Sequence, residues 1–156
     1  MFHDLFPLHF SDEELMVLHS KEGKRLASVD YIIWQNQSAK GDGYQALDWV
    51  ELQFEDGDRI AFTAGEESDG LRIAPLDFPA EQLKIQQQFS GQVILEREPV
   101  SNGKVWNKAI GTPLSAVGLL EGPDGNIQNN QLQLDFNGIK IRFELHEEGM
   151  LVRRES

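Results

Sequence analysis

Five carboxylates beside two glycines are the side chains of this sequence best placed to do chemistry together. They lie in two acidic turns, each followed by a glycine and a short apolar run: Glu66, Glu67, Asp69, Glu147 and Glu148. If both turns meet at one rim of the folded chain, their oxygens could bind Ca²⁺, serve as an acid–base pair, or face a basic protein. Neither of the first two functions requires this spacing, so the pattern favours a surface that meets a basic protein.

The sequence motifs of well-defined enzyme chemistry are absent. The sequence contains no GxSxG nucleophile elbow, Walker loop, GxGxxG, HExxH or EF-hand spacing. It has no cysteine, and its four histidines show no helical i, i+4 pairing. His3, Asp4 and His9 could converge on a metal, but a docked or disordered N-terminus explains them more simply. The sequence therefore favours a non-enzymatic protein without a catalytic residue, a metal or a cofactor.

Aromatic side chains flank a long polar loop that runs from Gln35 to Gln45. Trp34 and Tyr44 lie at its ends, and Trp49 follows in the next predicted strand. Side chains alternate across a strand, so Trp49 should lie on the face opposite Val50. An outward tryptophan indicates a contact site, unless the N-terminal segment or a helix covers it.

Trp106, in a loop-like segment at 102–108, has the same two interpretations. The acidic turns and the aromatic loop together give one predicted partner-binding surface. Its residues are Trp34, Asp42, Tyr44, Trp49, Glu66, Glu67, Asp69, Glu147 and Glu148.

The charge balance limits the class of partner. Among 156 residues, 26 are acidic and 14 are basic, which gives a net charge of −12. This charge opposes binding to nucleic acid or to an anionic membrane, and it favours a basic protein. The chain has no cysteine, no leader-like start and no run of the ~18 apolar residues that a membrane span needs, so we expect a single cytoplasmic domain over 1–156.

Two glycine-turned hairpins organise the chain, and their apolar sides fix the strand register. In the first, a three-residue loop with Gly57 in the left-handed conformation sets Leu52 opposite Ile60 and Val50 opposite Phe62. The second is turned by an Asn-Gly dipeptide, which predicts a two-residue type I′ turn. Its cross-strand pairs are then Leu132–Phe143, Leu134–Ile141 and Phe136–Ile139.

The two hairpins belong to two similar halves, residues 10–77 and 89–154, which suggests an internal duplication. The matching positions are Phe10-Ser11 with Phe89-Ser90, Ile60 and Phe62 with Ile141 and Phe143, and Gly70 and Ile73 with Gly149 and Val152. Each half alone would leave an apolar side exposed, so the two sides should close on each other. The predicted fold is a mainly β antiparallel sandwich or barrel of about ten strands.

One short helix is predicted, between the halves. Pro79 fits a first helical turn, the apolar residues that follow supply part of a helical stripe, and Gly91 lies where the helix should stop. Near the N-terminus, Ser11 and Glu14 have the spacing of a capping box. We nevertheless interpret Leu15–His19 as a strand, because the β-rich run that follows it requires a hairpin partner.

The function predicted from these features is that of an acidic cytosolic domain that binds a basic protein without catalysis. A carboxylate-rich face can copy the charge of a phosphate backbone, so an immunity-type inhibitor of a nuclease toxin fits the pattern. One alternative is a small-molecule-binding or catalytic barrel, with Gln35, Tyr44 and Asp48 orienting a ligand between the halves. Another is a structural domain that forms a homodimer by pairing an edge strand such as Leu71–Ile73.

Overall fold

Nine strands and two helices make up the fold in a computed structural model, which describes residues 9–36, 45–64, 70–147 and 149–155. The helices are α1 (Asp12–His19) and α2 (Phe78–Gln88). The strands are β1 (Leu26–Asn36), β2 (Gln45–Phe54), β3 (Arg59–Ala64), β4 (Leu71–Ile73), β5 (Val93–Pro99), β6 (Ala116–Gly118), β7 (Gln131–Phe136), β8 (Ile139–His146) and β9 (Gly149–Arg154). Within these ranges, neither helix has the length and apolar character needed to cross a membrane.

The strands form two antiparallel sheets that pack face to face. The five-stranded sheet has the order β4-β3-β2-β1-β5, and the four-stranded sheet has the order β6-β7-β8-β9. Their inner faces share one apolar core, in which the rings of Phe62 and Phe143 lie 4.7 Å apart between centroids. Leu52 and Leu134 are both buried in it. The mainly β antiparallel prediction is confirmed, whereas a closed barrel is not formed.

Both hairpins have the predicted register. The two apolar pairs expected between β2 and β3 are present, and Gly57 turns the chain with a left-handed φ of +88°. All three pairs expected between β7 and β8 also form. Asn137 and Gly138 have φ values of +55° and +98°, as a type I′ turn requires. Turn chemistry and side-chain alternation are therefore sufficient to define these two ribbons.

The prediction of a strand at Leu15–His19 is wrong, because these residues belong to α1. The Ser11 hydroxyl accepts a hydrogen bond from the Glu14 amide at 3.1 Å, and the Glu14 carboxylate accepts one from the Ser11 amide at 2.8 Å. This capping box satisfies two amides that a helix start leaves unpaired. The β-rich run after α1 has other partners, since β1 lies between β2 and β5. The structure therefore has a helix near the start of the first half in addition to the predicted one between the halves.

The Glu14 carboxylate also closes the outer edge of β4. Its second oxygen accepts a hydrogen bond from the Ile73 amide at 2.8 Å. At the start of β4, the Leu71 amide donates to the Asn129 carbonyl at 2.7 Å, and the Asn129 side chain donates to the Leu71 carbonyl at 3.2 Å. An edge whose backbone groups are already bonded is a poor template for another strand. These contacts oppose the homodimer expected through β4.

The two sheets resemble each other only in part. Each contains a meander of four consecutive strands, β1 to β4 and β6 to β9, and the last two strands of each carry an equivalent apolar pair, Phe62–Ile73 or Phe143–Val152. The fifth strand, β5, joins the first sheet alone. Phe10-Ser11 leads into a helix, whereas Phe89-Ser90 follows the end of one. The ten-strand duplication is therefore not confirmed.

Candidate functional site

Helix α2 covers the outer face of the five-stranded sheet, which is the face opposite the main core. The Asp77 side chain caps it by accepting from the Ala80 amide at 3.1 Å, and Pro79 occupies its first turn. Phe78 and Ile85 pack against a second, smaller core formed by Ile32, Trp49, Ala61 and Leu95. A helix of 11 residues is marginal by itself. Packing on this face is therefore what holds α2 in place.

A β-bulge in β2 brings two consecutive side chains to this face. The pairing between β1 and β2 changes from Ile32–Trp49 to Ile33–Leu47, so Asp48 is an extra residue on β2. In a regular strand, Asp48 and Trp49 would point to opposite faces. At the bulge both side chains line the same groove, since an extra residue re-aims its neighbours. The bulge thus brings an acidic residue and a tryptophan, adjacent in sequence, into the lining of one groove.

The groove between the sheet and α2, termed here the aromatic groove, has a volume of about 650 Å³. The sheet contributes Trp34, Asp48, Trp49 and Thr63, and α2 contributes Glu81, Lys84 and Ile85, with Phe89 directly after it. The Thr63 hydroxyl donates to the Asp48 carbonyl at 2.7 Å, which holds the bulged backbone. Trp34 and Phe89 meet edge to face, with centroids 5.6 Å apart and planes at 86°. Three aromatic residues, Trp34, Trp49 and Phe89, therefore belong to the groove lining.

Among the described residues that line the groove, acidic side chains outnumber basic ones. Asp48 and Glu81 supply two carboxylates, and Lys84 supplies one ammonium group. Aromatic faces carry partial negative charge, so they add to the attraction for a cation. Among the described residues, no group of three or more His, Asp or Glu side chains is arranged to hold a metal ion. The lining is suited to an organic cation such as a basic side chain.

Two of the predicted partner-binding residues, Trp34 and Trp49, come together in this groove. Trp49 faces away from the main core as alternation predicts, but it is only 7% exposed because α2 packs over it. The interpretation that a helix covers Trp49 therefore holds. Glu147 lies elsewhere, in a cleft that the end of β8 forms with residues 45–47. Six predicted residues fall outside the described part of the chain: Asp42, Tyr44, Glu66, Glu67, Asp69 and Glu148.

Of the three residues assigned to a small-molecule site, Tyr44 lies outside the described part of the chain, and the other two separate in the structure. Asp48 lines the aromatic groove, whereas the Gln35 amide donates to the Glu96 carboxylate of β5 at 3.0 Å. Sequence reasoning missed the helix side of the groove. The signal for it was the spacing of Glu81, Ile85 and Phe89, which places three side chains four residues apart on one face of a helix.

Trp106 belongs to the core and not to a contact site. It is 1% exposed, and its indole N–H donates to the Tyr31 hydroxyl at 2.8 Å. Its ring lies edge-on to Phe136 and Phe143, with centroids 6.3 and 6.1 Å away. Burial raises the pKa of Tyr31, and the hydrogen bond with Trp106 opposes that shift. Trp106 thus fastens the long connection between β5 and β6 to both sheets.

An ion-pair cluster occupies the same outer face near the first turn of α2. Arg97 of β5 donates to Asp30 and to Glu51, each at 2.8 Å, and its guanidinium lies 5.0 Å from the centre of the Phe78 ring. Arg59 lies 3.7 Å from Glu51. Burial lowers the pKa of Arg97, but the bonds to Glu51 and Asp30 outweigh burial and raise the pKa overall. The two acids and two arginines balance in charge. Because each lies on a different strand, the cluster ties β1, β2, β3 and β5 together.

No protein-family model matches the chain, and no curated protein or solved structure is significantly similar to it. The function is therefore inferred from the geometry and charge of the groove.

Proposed function

We propose that the chain is a non-enzymatic domain that binds a basic protein, and that the aromatic groove receives a lysine or arginine side chain of that partner. The observation that carries this proposal is the bulge at Asp48, which brings Asp48 and Trp49 together into the sheet side of the groove lining. Glu81 brings a second carboxylate from α2. A cation that enters the groove meets aromatic faces and acids together.

The expected interaction energy is sufficient for an anchor side chain. A cation over an aromatic face gains about 0.5–1 kcal/mol at an exposed site and about 2 kcal/mol when desolvated. A hydrogen bond to a charged group adds about 1.5–3 kcal/mol. Among the described lining residues, Lys84 supplies one ammonium group against the two carboxylates of Asp48 and Glu81. Such a site selects one basic side chain within a larger interface, as anchor pockets do.

The charge of the whole chain supports the same class of partner. A net charge of −12 attracts basic proteins at long range and speeds their association, whereas it repels nucleic acid. The most specific form of the proposal is an immunity-type inhibitor of a nuclease toxin, because an acidic surface imitates the phosphate backbone that such a toxin binds. A cytoplasmic location is part of this proposal, and the lack of cysteine supports it.

The groove itself can be tested with single amino-acid probes in an NMR titration. Blocked arginine amide should shift the indole N–H signals of Trp34 and Trp49, while the signal of buried Trp106 stays unchanged as an internal control. Blocked citrulline amide, the neutral isostere, should shift none of them. The variant Asp48→Asn should weaken arginine binding roughly tenfold. Equal shifts with arginine and citrulline would refute recognition of a cation.

The protein partner can be tested by capture from native lysate at low and at high salt. We expect a basic protein that binds the wild type at low salt and is released at high salt. Asp48→Asn and Trp34→Ala should each reduce the amount of partner captured. Glu98→Gln is the matched control, because Glu98 is exposed on β5 outside the groove. A partner captured equally by all four proteins would contradict the groove as the binding site. For the inhibitor form, co-expression must also relieve the toxicity of the captured nuclease.

A further inference from the structure

A second, smaller pocket lies beside α1 at the five-stranded sheet. Its volume is about 270 Å³, and it shares no lining residue with the aromatic groove. Val17 of α1, Ala61 of β3 and the segment that follows β4, with Pro75 and Leu76, form its apolar walls. Because Arg59 is its solvent-accessible charged residue, we term it the Arg59 pocket.

Two charged side chains line this pocket, and they differ in accessibility. The Glu51 side chain is 7% exposed, and its carboxylate is already bonded by Arg97 at 2.8 Å. The Arg59 side chain is 55% exposed, and its ion pair with Glu51 spans 3.7 Å, which is longer than a hydrogen bond. Within the described part of the chain, a ligand that enters here meets an accessible guanidinium, while the carboxylate behind it accepts a hydrogen bond from Arg97.

We propose that the Arg59 pocket binds a small monocarboxylate with a short apolar body. A guanidinium matches a carboxylate with two parallel hydrogen bonds. The apolar walls would remove the body of the ligand from water. A volume of about 270 Å³ is at the lower limit of the roughly 300–1,000 Å³ of typical ligand sites, which restricts the ligand to a short chain or a single ring. This site does not depend on the proposed protein partner.

Three probes with one apolar body test the chemistry of the site: hexanoate, hexanol and hexylamine. In an NMR titration, hexanoate should shift the backbone amides of Ala61 and Ile73 most strongly. Hexanol should bind roughly tenfold more weakly, because it lacks the charged hydrogen bonds to Arg59. Hexylamine should not bind. Equal affinities for hexanoate and hexanol would overturn the role of Arg59, and no shifts with any probe would overturn the site.

Three variants separate the charge from the shape of the pocket. Arg59→Gln should reduce hexanoate binding to the level of hexanol and leave hexanol binding unchanged. Val17→Trp at the mouth should block both ligands. Met16→Trp is the matched control, because Met16 is 71% exposed on α1 and does not line the pocket. Wild-type hexanoate affinity in Arg59→Gln or in Val17→Trp would overturn the proposal.

A second copy of the chain is the competing occupant, since Met16 and Val17 are exposed apolar residues beside the pocket. The ligand proposal predicts that the mass in solution is unchanged by hexanoate. A dimer that hexanoate or Val17→Trp dissociates would show that the pocket holds an apolar side chain of another copy, and it would overturn the ligand proposal.

Discussion

Replacing Gly70 with alanine tests how closely the start of β4 packs against Asn129. Gly70 has a φ of +94°, a conformation that costs other L-residues about 1–2 kcal/mol. An added Cβ would lie 2.3 Å from three heavy atoms of the Asn129 amide, which is fully buried and donates to the Leu71 carbonyl. Moving a buried side chain out of such an overlap costs about 1–3 kcal/mol. We expect Gly70→Ala to lower the free energy of unfolding by about 2–5 kcal/mol.

Urea denaturation followed by circular dichroism measures this loss and separates its two causes. Gly111→Ala is the matched control, because Gly111 has a φ of +85° but no atom within 4 Å of an added Cβ. It should lose only the backbone part, about 1–2 kcal/mol. Asn129→Ala removes the overlapping amide, so the double variant should be more stable than the summed single effects by about 1–3 kcal/mol. Equal losses at both glycines, or additivity within about 0.5 kcal/mol, would refute the reasoning.

Two further predictions concern acid stability and the core. The Lys21 ammonium donates to Asp58 at 2.7 Å and holds the pKa of that carboxyl below its ordinary 3.8, with a smaller contribution from Lys24. Because the pKa of Asp58 is lower in the folded state, the contact stabilises the fold above about pH 4, and this stabilisation is lost as the pH falls further. In urea denaturation, the difference in free energy of unfolding between wild type and Asp58→Asn should therefore shrink between about pH 5 and pH 2. A constant difference would contradict this assignment. Trp106→Phe removes the hydrogen bond to Tyr31 and leaves a cavity, which should cost about 2–4 kcal/mol in the same assay. A loss below about 1 kcal/mol would show that the bond and the packing are replaceable.

The two hairpins were predictable because their information is local. Gly57 and the Asn137-Gly138 dipeptide specify turns whose length sets the register, and the alternating apolar residues leave one pairing that buries them all. The mainly β class follows from the same residues. Helix α1 also has a local signal in Ser11 and Glu14, but the β-rich run after it favours a strand as its hairpin partner. In the structure β1 pairs instead with the strand that follows it, β2, and with the distant β5.

The candidate site was predictable only in part, because two of its features arise from tertiary contacts. Alternation places Trp49 on the outer face, but only the docking of α2 decides that it is covered. The bulge at Asp48 is a mismatch between β1 and β2, and neither strand alone reveals it. Trp106 appeared in a loop-like stretch, and its burial depends on Tyr31 and on rings from the other sheet. Sequence patterns indicate which face of a strand a side chain lies on, but not which distant element packs over that face.

The carboxylate of Glu14 satisfies backbone groups at two places, a helix start and a sheet edge, that are usually satisfied by separate residues. It caps α1 and at the same time takes the place that a sixth strand would occupy beside β4. At the opposite border, β5 ends in exposed Glu96, Glu98 and Pro99, residues that discourage strand addition. A single acidic side chain therefore links the folding of α1 to solubility at high concentration. A change that frays α1 also exposes the backbone edge of β4, which can then pair with a strand of another molecule and promote aggregation.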